Sequence, residues 1–182
     1  MRGGDKLQED MDGQPLLRVM TARALAVTKG PVICTLPGPD HPRNTCLDGL
    51  GVQRVWVSDA AEGMGASIRA GMAALPPGCG AVMILPGDMP ELTADDLHLM
   101  ISAWQRNPDA ILRATDAAGT PGHPVIFPAD LFPALAACAG DLGARDVVRA
   151  HAARISMIAL PDHHATTDLD TPEDWAAWRA RQ

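Results

Sequence analysis

Four groups of residues in this chain could do chemistry together. Asp88 stands alone as a carboxylate in Pro86-Gly87-Asp88-Met89-Pro90, directly after the apolar run Ala81 to Leu85. Asp168 and Asp170 form a late acidic pair. Gly63-x-Gly65-x-Ser67 offers backbone N–H groups and a hydroxyl, and Lys6 follows the glycine pair Gly3-Gly4. Carboxylates are hard oxygen donors, and Mg²⁺ typically takes one or two of them together with substrate phosphates. Free N–H groups at a helix start favour anions, and a lysine is a point charge for phosphate. Such a set suits phosphoryl or nucleotidyl transfer, where positioning and charge neutralisation supply most of the catalysis and no covalent nucleophile is needed. Each member also has a plainer reading. Asp88 could cap a loop or pair with a base, and the glycines could simply make a turn into a helix. Asp170 could serve the last helix, and Lys6 could be a surface lysine.

Other chemistries lack their residues. The glycine pattern fails G-x-G-x-x-G because position 68 is Ile, and neither a P-loop nor a G-x-S-x-G elbow occurs. No Ser/His/Asp or Cys/His constellation stands out. Cys34, Cys46, Cys79 and Cys138 contain no C-x-x-C pair, which speaks against a zinc knuckle or a thioredoxin motif. His163-His164 has no third ligand nearby and reads as a solvated loop.

The elements that must position these residues alternate. Ala81 to Leu85 reads as a strand buried on both faces, stopped by Pro86 and Gly87. Asp88 then falls at the carboxyl end of a parallel strand, where open α/β sheets bind ligands. Thr93 and Asp96 form a capping box for a helix carrying Leu97, Met100, Ile101 and Trp104 at helical spacing. Further strands are expected at 31–36, 53–57, 110–113, 125–127 and 155–160. Helices are expected after Pro15, from about 63 to 75, over 129–137, from about 140, and after Thr171 with Pro172 at its first position. Residues 37–51 read as a turn-rich surface stretch. Alternating strands and helices imply an α/β fold with a largely parallel sheet.

The 182 residues suit one domain with a full core, and aromatics at 3% with no tyrosine make that core aliphatic. A net charge of −7 without a Lys/Arg run disfavours nucleic acid and anionic membranes as partners. No signal peptide or membrane-spanning stretch is visible, and the scattered thiols suit a cytoplasmic setting.

Seven segments occur in a telling order: Gly-Gly-Asp-Lys-Leu (3–7), Gly-Gln-Pro-Leu-Leu (13–17), Gly-Met-Gly-Ala-Ser (63–67), Pro-Gly-Asp-Met-Pro (86–90), Gly-His-Pro-Val (122–125), Gly-Asp-Leu-Gly-Ala-Arg (140–145) and Asp-Leu-Asp-Thr-Pro-Glu-Asp (168–174). Together they resemble the MobA-like nucleotidyltransferases, in particular the molybdenum cofactor cytidylyltransferase branch, from residue 3 to about 175. The resemblance implies a single domain over 1–182 with a Rossmann-like three-layer α/β/α fold and a mostly parallel sheet, as in nucleotide-diphospho-sugar transferases. It implies joining the NMP part of an NTP, CTP favoured over GTP, to the terminal phosphate of Mo-molybdopterin with release of pyrophosphate. By the same resemblance Lys6 contacts NTP phosphates, and Gly63, Gly65 and Ser67 line the nucleotide pocket. Asp88 binds Mg²⁺ with Asp170 and, ranked after it, Asp168. His123, Asp141 and Arg145 face the pterin. Implied partners are the NTP, molybdopterin and a molybdoenzyme or its chaperone.

The family pattern starts with a strand and a loop of the form Leu-Ala-Ala-Gly-x-Ser-x-Arg-Met-Gly just before the lysine, whereas this sequence begins near the end of that loop. The expectation is an N-terminally incomplete domain whose natural form is longer, with a genuine truncation as the alternative. Without the strand, its neighbours would keep unpaired backbone and an apolar slot. Two other functions stay open: a non-catalytic cofactor-binding or chaperone protein on this fold, and a nucleotidyltransferase with a different small phosphate acceptor.

Overall fold

The computed structural model describes residues 4–181. A 3₁₀ turn over Lys6–Gln8 leads into a small hairpin of β1 (Asp10–Met11) and β2 (Gln14–Pro15). Asp12 and Gly13 make its turn at φ of 55° and 82°. Asp-Gly suits the left-handed angles of a two-residue hairpin loop, so the signal for this unexpected hairpin lay in the dipeptide. Next come α1 (Leu16–Val27), β3 (Ile33–Leu36), α2 (Arg43–Cys46), β4 (Gln53–Trp56), α3 (Met64–Ala73), β5 (Ala81–Ile84) and α4 (Ala94–Arg106). The remainder is β6 (Ile111–Thr115), β7 (Pro121–Pro128), α5 (Phe132–Ala136), α6 (Arg145–Ala150), β8 (Ile155–Ala159) and α7 (Pro172–Arg179).

Four strands form one sheet in the order β5-β7-β6-β8. β6 and β8 are parallel, and β7 runs antiparallel to both of its neighbours, so β5, β6 and β8 share one direction. Successive side chains on a strand point to opposite faces, and the core follows that rule. Leu112, Ala114 and Ile126 join Leu16, Met20, Met100, Trp175 and Trp178 in one layer. Ile111, Val125 and Phe127 join Ile68, Leu135 and Val147 in the other. Helices α1, α4 and α7 therefore cover one face and α3, α5 and α6 the other, which is the three-layer Rossmann-like arrangement. The predicted capping box of α4 is present, and α7 opens on a second one at the expected Thr171 cap. Thr93 and Asp96 open α4, Thr171 and Asp174 open α7, and each threonine accepts from the N3 amide while the aspartate accepts from the cap amide.

β5 departs from expectation. It is half-buried along its whole length instead of enclosed, because β7 is its one strand partner among the described residues. β3 pairs in parallel with β4 in a separate two-stranded sheet, so β3 and β5 are not hydrogen-bonded to each other. α1 and α3 bridge the two sheets by side-chain packing. On α1, Leu17 packs with Leu36 and Cys34, while Leu16 and Met20 pack in the cluster that holds Met83 and Leu85.

The turn-rich stretch 37–51 also holds more structure than its composition suggests. The Asn44 amide donates to the carbonyls of Gly38, Pro39 and His41, and Leu47 is fully buried. No helix among the described residues is long and apolar enough to cross a membrane.

Candidate functional site

β5, β6 and β8 end at one edge of the large sheet, and β7 begins there. The loops leaving that edge carry Asp88 after β5 and the 160–170 segment after β8. Leu169 is buried in the core and pins the segment, leaving its neighbours Asp168 and Asp170 directed outward. Glu91 holds the same segment from below, accepting from Thr167 Oγ1 at 2.6 Å and from Trp178 Nε1 at 3.1 Å. His164 Nδ1 lies 2.8 Å from the buried Asp96 carboxylate, so this histidine is a tie between the loop and the start of α4.

Lys6 reaches the same edge from the other end of the chain. Asp5 fixes its backbone: it accepts from the Leu7 amide at 3.1 Å and takes the Arg43 guanidinium through two bonds of 2.7 and 2.9 Å. Burial pushes the Asp5 carboxyl up, but the hydrogen bonds from Arg43, Gln8 and Leu7 outweigh it and bring the pKa to about 2. Gly87 nestles against Leu7 and Leu17, 3.4 Å from where its own Cβ would stand, so the Asp88 loop rests on the Lys6 segment.

The result is convergence. Lys6 Nζ lies 2.6 Å from Asp88 Oδ2, 3.2 Å from Asp168 Oδ1 and 2.5 Å from Asp170 Oδ1. Partial burial works to lower the lysine pKa, but the bonds to Asp170 and Asp88 prevail and hold the proton more firmly than on an ordinary lysine. Asp168 also shifts upward. Burial and the Asp88 charge raise its pKa against the pull of Lys6. Three carboxylates around one ammonium carry an excess of negative charge that a further cation would relieve.

Gly63, Gly65 and the 140–145 loop, separate in the sequence, form one unit. Gly63 caps α3 at φ 102°, and a Cβ there would strike the Asp141 carboxylate. A Cβ on Gly65 would stand 2.6 Å from the Ala139 carbonyl carbon, and the Gly65 amide donates to Gly140 O at 2.9 Å. Close backbone approach is thus the structural reason for both glycines. Glu62 and Arg69 lock the joint: the Glu62 carboxylate accepts from Arg69 at 2.8 and 2.6 Å and from the Gly140 amide, while Arg69 donates to Cys138 O at 2.6 Å. Sequence reasoning missed this pair; an acid and a base seven residues apart across a glycine helix start were its signal. Ser67 is half-buried on α3, and Asp141 and Arg145 are exposed on the loop and at the start of α6.

His123 opens onto the same edge from β7. Its amide donates to Ala165 O at 2.9 Å, and its Nδ1 is buried without a hydrogen-bond partner among the described residues. Burial lowers its pKa most, and the charges of Arg113 and Arg145 add to that while Asp88 opposes. Arg113, on β6, also escaped the sequence reading. The signal was a charged residue in the middle of an otherwise apolar strand. Asp116, after β6, shapes the next turn by accepting from the Ala118 and Thr120 amides at 3.0 and 2.8 Å.

The donor set fits a hard divalent cation. Asp88, Asp168 and Asp170 bring carboxylate oxygens to one point, and such an ion is commonly completed by phosphate oxygens instead of an all-protein cage. Among the described residues no three of His, Cys, Asp or Glu are arranged to hold a metal ion unaided.

The sequence profile of the MobA-like NTP transferase domain matches residues 1–155. No curated protein sequence matches the chain. Among solved structures, Rv0371c from Mycobacterium tuberculosis H37Rv is similar at TM-score 0.82 and 24% identity, covering 97% of this chain and 89% of that one. Its complex with manganese is similar at TM-score 0.78 and 23% identity, over 94% of this chain and 89% of that one. CMP:2-keto-3-deoxy-manno-octonic acid synthetase in complex with CTP is similar at TM-score 0.74 and 13% identity, over 97% of this chain and 90% of that one.

Proposed function

We propose a reaction that starts from a fixed premise: the chain belongs to the MobA-like NTP transferase domain family, and is a nucleotidyltransferase. Residues 1–182 act as one catalytic domain that joins the NMP part of an NTP, CTP in preference to GTP, to the terminal phosphate of Mo-molybdopterin. The observation that carries the reading is the meeting of Lys6 with Asp88, Asp168 and Asp170 within 3.2 Å at the sheet edge. The CTP bound to one structural neighbour and the manganese bound to another support a nucleotide and a divalent cation as ligands of this chain.

One oxygen of the acceptor phosphate forms the new bond to the α-phosphorus of the NTP. The α–β bridging bond breaks, and its electron pair leaves on pyrophosphate. A phosphate monoester is largely dianionic near neutral pH, so no base need remove a proton. Mg²⁺ held by Asp88 and Asp170, with Asp168 beside them, supplies charge neutralisation when bound. Lys6 turns its ammonium from the carboxylates to the β- and γ-phosphates and stabilises the charge that gathers there. Gly63, Gly65 and Ser67 border the nucleotide, and His123, Asp141 and Arg145 border the acceptor. Molybdopterin is drawn from the pattern of motifs, and a molybdoenzyme or its chaperone is the fitting recipient of the product. The four free cysteines suit a cytoplasmic setting.

The test is pyrophosphate release from CTP or GTP with Mg²⁺ and molybdopterin. CTP should be the better donor, and Asp88→Asn should lower the rate at least about a hundredfold. Mg²⁺-dependent CTP binding without any pyrophosphate would overturn the enzyme reading in favour of a cofactor-binding protein on the same fold.

A further inference from the structure

Several arginines of this chain are neutralised where they stand, among them Arg43 by Asp5, Arg69 by Glu62 and Arg154 by Asp130. Arg113 is not. It sits midway along β6 on the face that its neighbours Ile111 and Val125 give to the core, and those two are 0% and 5% exposed. Its hydrogen bond is a long one, Nε to the Gly122 carbonyl at 3.3 Å. No carboxylate faces it among the described residues. Arg145, across the same face at the start of α6, also lacks one, and its charge works against that of Arg113. Two cations that act on each other across one face, one of them half-buried, are an arrangement that folding alone disfavours. Beside them lies the buried His123 Nδ1 with no partner, and an orphan of that kind calls for an explanation. A phosphate supplies one for all three groups, because guanidinium pairs bind its oxygens through parallel bonds.

We propose that Arg113 and Arg145, with His123 beside them, form a phosphate-monoester subsite that holds the acceptor of the transfer on the α3/α6 side of the sheet. This rests on the nucleotidyl-transfer reading above. The two phosphate positions of the reaction then divide. The triphosphate takes the Lys6 side and the acceptor the arginine side, with Asp88 the group that both sides feel. In-line displacement needs such a division, because the attacking and leaving oxygens lie on opposite sides of the transferred phosphorus. The arginines also offset the repulsion between two anions that must meet, and they keep the acceptor dianionic.

Two measurements test it on the whole chain. In the first, inorganic phosphate is titrated by calorimetry in EDTA without nucleotide, so that neither a cation nor a triphosphate contributes. The wild type should bind saturably, and Arg113→Gln should weaken binding at least tenfold. Arg145→Gln, on an exposed side chain whose loss spares the core, should do the same and keeps the test decisive if the Arg113 variant folds poorly. Phosphate affinity unchanged in both variants, or no saturable binding to the wild type, would overturn the subsite even if transfer to molybdopterin is observed. In the second, Arg113→Gln should raise the acceptor KM at least tenfold with the CTP KM within twofold. A rise in the CTP KM alone would assign the arginines to the triphosphate and overturn the proposal. Should molybdopterin prove not to be the acceptor, the phosphate titration still decides the subsite by itself.

Discussion

Replacing Lys6 by methionine should tighten the binding of a bare divalent cation while it cripples turnover. Nζ stands 2.6, 3.2 and 2.5 Å from oxygens of Asp88, Asp168 and Asp170. An ion taking the same oxygens would stand about 4 Å from the ammonium, given metal–oxygen bonds of roughly 2.1 Å. A single and a double positive charge at that separation repel by about 2 kcal/mol in a water-like dielectric. That limit is the fitting one because the Asp168 and Asp170 side chains are 50% and 66% exposed. The repulsion corresponds to about thirtyfold in Kd. Without nucleotide, Lys6→Met should therefore bind Mn²⁺ about ten- to thirtyfold more tightly than the wild type, as read by electron paramagnetic resonance of the free ion. With nucleotide, the missing ammonium should cost at least about a hundredfold in pyrophosphate release. Mn²⁺ affinity equal to or below that of the wild type would refute the reasoning, because Lys6 could then not be standing among the carboxylates in solution.

Three further outcomes follow from the same geometry. The Asp5 pKa of about 2 lies below the ordinary carboxylate value of 3.8, so its contribution, about 1–2 kcal/mol after solvent screening, is complete above pH ~4 and lost as pH falls toward 2. Asp5→Asn should flatten that part of the Tm–pH curve, and an unchanged curve would remove Asp5 as the anchor of Lys6. Gly65→Ala should destabilise the fold by about 1–3 kcal/mol, because its methyl has no room beside the Ala139 carbonyl carbon; an unchanged Tm would mean that the 139–141 loop does not pack there. The His123 pKa, lowered by burial, Arg113 and Arg145 and raised by Asp88, should move up in Arg113→Gln and further down in Asp88→Asn by NMR titration. Movement of both variants in one direction would contradict the arrangement. Since the folded pKa is the lower one, the unfolded chain takes up this proton first, and His123 costs stability as pH falls below about 6.5.

What the sequence disclosed was local chemistry and order. Thr93 with Asp96 announces α4 because a capping box is written within four residues, and Thr171 before Pro172 announces α7 as a cap and first helical residue. Asp88 was legible because an apolar run ends in Pro-Gly just before it. The meeting of Lys6 with Asp168 and Asp170 spans more than 160 residues, and periodicity carries no information about such a contact; the ordered motifs suggested it. Gly63 and Gly65 looked like ligand cradles, yet their demand for space comes from Asp141 and Ala139, which no local pattern reveals. β5 reads as enclosed because its residues are apolar, but enclosure depends on which strands pair on either side of it. Arg113 was hidden by its setting, since a single charge in a short strand passes for an edge residue until the buried neighbours are seen.

The division between the β3–β4 sheet and the larger one has a mechanical consequence. Backbone ladders resist sliding, whereas side chains of packed helices allow small shear displacements. Among the described residues the seam beside β5 is crossed by packing from α1 and α3 and not by a ladder, so it is the line along which they can slip most cheaply. Lys6 is tied through Asp5 to Arg43 on the β3–β4 side, while Asp88, Asp168 and Asp170 leave the larger sheet. Slip along the seam would change the distance between the ammonium and its carboxylates before it changed anything else in the site. The ion-pair cluster therefore also acts as the latch across that line, and whatever loosens Lys6 loosens the two halves from each other.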